Sequence, residues 1–91
     1  MIYVIDHNDS FTHNVVHQLS LFDKVHCDNY NQIDKRKLEV ASVIVFSPGP
    51  GNPKNYPLTS KIYKQYKGKK KIIGICLGFQ QILFCEGAKI I

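Results

Sequence analysis

Short unbroken apolar runs alternate along this chain with stretches whose apolar residues recur every three or four positions. Met1–Ile5 is one run, closed by Asp6; Val43–Phe46 (VIVF) is a second and Ile72–Cys76 (IIGIC) a third. Runs of this length, rich in β-branched residues, read as strands buried on both faces. The pattern thus predicts strands at Ile2–Asp6, Val43–Phe46 and Ile72–Cys76, with a weaker one at Val25–Asn29. Between them, Phe11, Val15, Leu19 and Phe22 fall at helical spacing and predict one apolar stripe over three turns, with Asp9-Ser10 offering an N-cap. Asp34–Val40 reads as a short helix, Leu58–Tyr66 as a longer one with Pro57 at its first position, and Gly78–Glu86 as a third, with Gly87 suited to cap its end. Lys89–Ile91 looks like a strand beginning.

Strands alternating with helices mean βαβ units, and so an α/β fold: a mostly parallel sheet with helices on both faces. In such open sheets ligands bind outside the carboxyl ends of the strands. Three unusual stretches fall at these ends: Asp6–Thr12, Ser47–Pro53 and Cys76–Gln80. Their coincidence is the strongest pointer to a site.

Length and composition narrow the class. Ninety-one residues make at most one small domain. At 44% hydrophobic the chain is that of a globular protein. The first apolar run is too short for a signal segment or a membrane span, so a cytoplasmic protein with no membrane partner is expected. Three cysteines without C-x-x-C spacing argue against a disulfide framework and a zinc knuckle. The net charge of +5 draws on Lys67-Gly68-Lys69-Lys70-Lys71, but this run lies between a helix and a strand and lacks interleaved aromatics. A solvated turn explains it better than a nucleic-acid site.

The candidate chemistry begins at Gly74-Ile75-Cys76-Leu77-Gly78, a G-x-C-x-G between strand and helix. It is the thiol counterpart of the nucleophile elbow, whose tight turn lifts the nucleophile above the sheet. Cys76 then sits at a helix N-terminus, where the dipole favours thiolate, and the N–H of Leu77 is free to stabilise an oxyanion. A second donor must come from a neighbouring loop. Ser47-Pro48-Gly49-Pro50-Gly51-Asn52 is rigid, because two prolines fix φ, and it presents only a few N–H groups. Gly51 is the first choice for that donor and Gly49 the second. A base is harder to find among His7, His13, His17 and His26. His13 and His17 have the i,i+4 spacing of a metal pair, but no third ligand is evident and a solvated helix face is the better reading. His7, at a strand end, could reach a site, though nothing in the spacing marks it as the base. Cys85 falls on the opposite side of its helix from Cys76 and reads, like Cys27, as structural.

Three motifs occur in order: Asp6-x-x-Asp9-Ser10-Phe11-Thr12-x-Asn14, Ser47-Pro48-Gly49-Pro50-Gly51-x-Pro53 and Gly74-Ile75-Cys76-Leu77-Gly78-x-Gln80. Together they resemble the class I (triad-type) glutamine amidotransferase subunits of chorismate-using synthases, component II of anthranilate synthase and of aminodeoxychorismate synthase. The resemblance covers essentially the whole chain. It implies a flavodoxin-like domain that releases ammonia from glutamine through a cysteine thioester. The ammonia goes to a chorismate-binding partner subunit, component I, in tryptophan or folate synthesis. It implies no cofactor and no metal. By the same resemblance Cys76 is the nucleophile, Leu77 and Gly51 line the oxyanion hole, and Gly49, Pro50, Gly51 and Gln80 hold glutamine. The family usually reads Asp-Asn-Tyr where this chain has Asp6-His7-Asn8, so His7 occupies a position that is not catalytic in the family. Members also run considerably longer, with the triad His and Glu near their C-terminus. Residues 1–91 are therefore expected to be the N-terminal half of a single amidotransferase domain, its sheet incomplete at the C-terminus, marginally stable and inactive alone.

Two rival readings stay open. A cysteine elbow also suits other α/β hydrolases and thiol proteins of similar architecture. A small flavodoxin-like module could instead cradle a phosphate in SPGPGN, although the prolines remove donors such a cradle would use.

Overall fold

Alternate residues of the first strand serve opposite faces of a sheet, and the whole fold is arranged around that fact. In the computed structural model, which describes residues 1–87, β1 (Ile2–Asp6) pairs in parallel with β2 (Val25–Asn29) on one side and β3 (Val43–Phe46) on the other. β4 (Lys71–Gly74) pairs in parallel with β3, giving the order β2-β1-β3-β4. The helices are α1 (Thr12–Ser20), α2 (Lys35–Val40), α3 (Pro57–Tyr66) and α4 (Leu77–Cys85), with a 3-10 turn at Pro53–Asn55.

On one face Tyr3, Ile5, Ile44 and Phe46 pack with Leu38 of α2 and Ile62, Tyr63 and Tyr66 of α3, and Ile82 and Cys85 of α4 join them. On the other, Ile2, Val4 and Val45 pack under Val15, Val16 and Leu19 of α1. Both faces therefore carry helices, as the unbroken runs require. Tyr3 ties the first layer to the sheet edge: its buried hydroxyl donates to Asp28 at 2.5 Å and accepts from the Asp34 N–H at 2.9 Å. Burial and the Asp28 carboxylate push that phenol far above its ordinary range.

Three expectations need correction. Phe11 and Phe22 do not belong to the apolar stripe of α1; they are 64% and 85% exposed, in the turns just before and after it. Asp9 closes the first of those turns by accepting from the Phe11 N–H at 2.7 Å, so regular helix starts only at Thr12. The fourth strand ends at Gly74, two residues before Cys76, because the chain must turn out of the sheet there. Nor is that strand buried on both faces: among the described residues it lies at the sheet edge, with Ile73 42% exposed. The expected strand at Lys89–Ile91 lies outside the described residues. The lysine run forms the turn before β4, with Lys67 paired to Glu86 and Lys70 donating to the carbonyls of Glu39 and Ala41. No helix among the described residues is long and apolar enough to cross a membrane.

Candidate active site

The chain runs from β1 to β2 in one direction and then crosses to β3 on the other side of β1. The crevice at the carboxyl ends of β1 and β3 is therefore a topological switch point, where such sheets bind ligands. The loops after β1, β3 and β4 gather there.

Cys76 sits in the last of these loops with φ 52° and ψ −110°, a left-handed backbone that costs a non-glycine residue about 1–3 kcal/mol. Close packing on both sides imposes it. The Ile75 N–H donates to the Phe46 carbonyl at 3.0 Å, and the Gly78 N–H to the Ile75 carbonyl at 3.0 Å. A Cβ on Gly78 would lie 2.1 Å from the Phe46 carbonyl oxygen, and one on Gly74 would lie 2.4 Å from the Gly78 carbonyl carbon. Only glycine lets α4 start this close to β3 and β4. The thiol of Cys76 is exposed, and Leu77, buried, opens α4 with its N–H in the turn that has no intrahelical acceptor. Gln80 is exposed one turn on, its N–H donating to the Cys76 carbonyl at 3.0 Å.

The loop after β3 lies against this elbow. A Cβ on Gly49 would meet His7 Cβ at 2.4 Å and Leu77 Cδ2 at 2.9 Å, so its backbone is wedged between the end of β1 and the start of α4. Pro50 and Gly51 are exposed, and Gly51 takes φ +81°. The Pro50 carbonyl accepts from Tyr56 Oη at 2.6 Å. Beyond it, Asn52 and Asn55 close a reciprocal cap over the 3-10 turn. Fully buried Gln81 on α4 donates through Nε2 to the carbonyls of Pro53 and Tyr56 at 3.1 and 3.2 Å. Gly49 and Leu77 are thus in contact, while Cys76, Pro50, Gly51 and Gln80 face solvent around them.

None of the four histidines is bonded to Cys76. His13 and His17 are exposed on α1, and His26 pairs with Asp28 at 2.8 Å on β2. His7 is fully buried and bonded to Ser47 and Thr59. Sequence reasoning missed this bracket of His7, Ser47, Thr59 and Gln81 around the loop. Only the place of His7 at a strand end hinted at it. No group of three or more His, Cys, Asp or Glu among the described residues could hold a metal. A cleft of about 920 Å³ lies elsewhere, between α2 and α3, lined by Leu38, Leu58, Ile62 and Tyr66 and flanked by Lys35 and Lys61. It shares no residue with the elbow.

The model of the family "Glutamine amidotransferase class-I" matches residues 3–91. Anthranilate synthase component 2 of Lactococcus lactis is 40% identical over 91 residues, which are 99% of this chain and 46% of that protein. The component 2 of Helicobacter pylori strain 26695 is 39% identical over 97 residues, covering 99% of this chain and 50% of the relative. The aminodeoxychorismate synthase of Saccharomyces cerevisiae is 33% identical over 110 residues, 98% of this chain but 14% of that longer protein. The crystal structure of a GMP synthase subunit from Thermoplasma acidophilum superposes with a TM-score of 0.80 at 27% identity, over 97% of this chain and 45% of that one. The chain spans about half the length of the component 2 relatives it matches. With its parallel flavodoxin-like sheet, its three motifs and a family match over nearly its full length, the chain belongs to the class-I glutamine amidotransferases.

Proposed function

We propose that this chain carries the nucleophile half of a single glutamine amidotransferase domain that serves a chorismate-aminating synthase. The observation that carries the reading is the left-handed backbone of Cys76, held by glycines at both flanks beneath an exposed thiol. A non-glycine residue keeps such strain where the neighbouring structure over-determines it, and function is the common reason.

In the proposed reaction the Cys76 thiolate attacks the side-chain amide carbon of glutamine. The carbonyl oxygen becomes an oxyanion, received by the N–H groups of Leu77 and Gly51. Collapse of the adduct breaks the C–N bond, and the nitrogen leaves as ammonia after taking up a proton. Water then cleaves the thioester to glutamate and regenerates the thiol. Gly49, Pro50, Gly51 and Gln80 hold glutamine over the thiol. The ammonia passes to the synthase subunit that binds chorismate. The names of the relatives support that partner, and the protein would work in the cytoplasm. Losing one oxyanion donor would cost about 10²–10³ in rate.

The protons need a base, and the chain's four histidines are His7, His13, His17 and His26. With His7 enclosed and the others on α1 and β2, these residues alone should show no appreciable glutamine turnover. Cys76-dependent release of glutamate by the 91-residue chain would refute that part. Covalent capture tests the rest. A chloroketone shaped like glutamine should add once per chain, and Cys76→Ala should abolish the adduct. Addition that survives Cys76→Ala would overturn the reading. So would Cys76-dependent cleavage of simple esters with no response to glutamine analogues.

A further inference from the structure

His7 takes no part in the chemistry above, yet its ring is as fully enclosed as any side chain in the molecule. It lies edge-on to Tyr56 at 4.7 Å and to Phe46 at 6.5 Å, and stacks on Tyr30 at 6.0 Å. A buried imidazole needs a partner at each nitrogen. Nδ1 is 3.0 Å from the Ser47 carbonyl oxygen, and Nε2 is 2.9 Å from Thr59 Oγ1. A carbonyl only accepts, so Nδ1 carries the hydrogen and Nε2 accepts from the Thr59 hydroxyl. Ser47 Oγ gives its hydrogen to the Pro48 carbonyl at 2.9 Å and accepts from the His7 main-chain N–H at 2.9 Å. Two of these bonds tie His7 to the root of the SPGPG loop, and a third, from Ser47 to Pro48, stiffens the root itself. A fourth contact is steric: Gly49 rests on His7, where an added Cβ would fall 2.4 Å from His7 Cβ and 2.7 Å from its carbonyl oxygen. The other side of Gly49 touches Leu77, next to Cys76.

We propose that His7, as the neutral Nδ1–H tautomer, is the positioning residue of the Gly49–Gly51 loop and fixes where that loop meets the oxyanion formed at Cys76. The proposal rests on the roles assigned above to Cys76 and the loop. The polarity of the site agrees with a neutral ring. Burial lowers the affinity of His7 for a proton, and the hydrogen bond to the Ser47 carbonyl and then the Asp6 carboxylate oppose this more weakly. The other titratable groups facing the ring are Tyr30, after β2, and Tyr56, ahead of α3, with the Tyr56 phenol itself pushed up by burial. A second proton would place a charge among these rings and an N–H against Thr59. Acidification should therefore loosen the loop.

The test compares two alkylating agents on one thiol. Iodoacetamide needs only a reactive, accessible Cys76. A glutamine-shaped chloroketone also develops the oxyanion that the loop would receive. The ratio of their rates cancels the titration of the thiol itself. The unaltered chain should favour the chloroketone at Cys76, and the ratio should fall only below pH 6.5, as His7 takes up its proton at its lowered folded-state value. His7→Phe keeps the bulk and removes both ring nitrogens; it should lower the ratio roughly tenfold to a hundredfold, with the iodoacetamide rate changed less. His7→Asn can still donate to the Ser47 carbonyl, so it should recover most of the ratio and lose its acid dependence. An unchanged ratio in His7→Phe would overturn the positioning role and leave the reading of Cys76 intact. If His7→Phe does not fold, the ratio's acid dependence decides: a flat profile in the unaltered chain, or the same fall in His7→Asn, overturns the proposal. No preference for the chloroketone in the unaltered chain would overturn the glutamine reading itself, and the role of His7 with it.

Discussion

Cys76 stores strain at the point where its chemistry is expected, and its left-handed φ of 52° makes that strain measurable. Cys76→Gly should remove the thiol and relieve the backbone together, raising stability by about 1 kcal/mol while abolishing covalent capture. Urea unfolding of the two chains checks it; a destabilised Cys76→Gly would mean that the elbow is not strained. The flanking glycines predict the opposite sign. At Gly78 a Cβ would press to 2.1 Å on the Phe46 carbonyl, which cannot move without breaking the β3 end of the sheet. Gly78→Ala should cost about 3 kcal/mol or more. Gly68→Ala is the control: the space there is open but φ is +79°, so it should cost only about 1–2 kcal/mol. Equal losses in the two variants would show that backbone conformation, and not close packing, governs both.

At the scale of the element, β1, β2 and β3 were legible to the residue: the apolar runs of β1 and β3 stop at Asp6 and at the Ser-Pro pair after Phe46, whereas β2 carries only Val25 and Cys27 among polar residues and gave the weaker signal. α1 was legible in kind but not in extent. Phe11 and Phe22 have the right spacing, yet spacing does not say where helical geometry begins, and the Asp9 turn sets that locally. The early end of β4 was hidden because the apolar run continues into the elbow. The site divides the same way. Cys76, Leu77 and Gly49 could be found because they sit in contiguous motifs. The bracket around His7 could not, since its partners Ser47 and Thr59 are 40 and 52 residues away. α2 depends most on a local signal. It has six residues, and Asp34 caps it by accepting from the Arg36 and Lys37 N–H groups at 3.0 and 3.2 Å. Asp34→Ala should cost about 1 kcal/mol, read as a lower unfolding midpoint, while Asp34→Asn should cost much less. Similar losses in both would place the effect in charge and not in capping.

For the whole molecule, one sheet carries the stability and presents the site at its carboxyl edge, so a group buried there couples the two. His7 takes up a proton less readily in the folded chain than at its ordinary value of 6.5. The unfolded chain therefore binds more protons below that pH. The stability that the neutral ring contributes is complete above 6.5, and it declines as pH falls towards the lower folded-state value. One such group can change stability by at most about 1.4 kcal/mol per pH unit. The unfolding midpoint should fall as pH drops below 6.5 towards the lowered folded-state value, and the part due to this ring should vanish in His7→Asn. An identical acid limb in both chains would assign the decline to other groups. The central claim, that Cys76 reads glutamine, is tested most directly by protection. The rate of chloroketone addition to Cys76 is followed as glutamine, or glutamate as a control, is added. Saturable slowing by glutamine and none by glutamate is the predicted result; a rate indifferent to glutamine would contradict it.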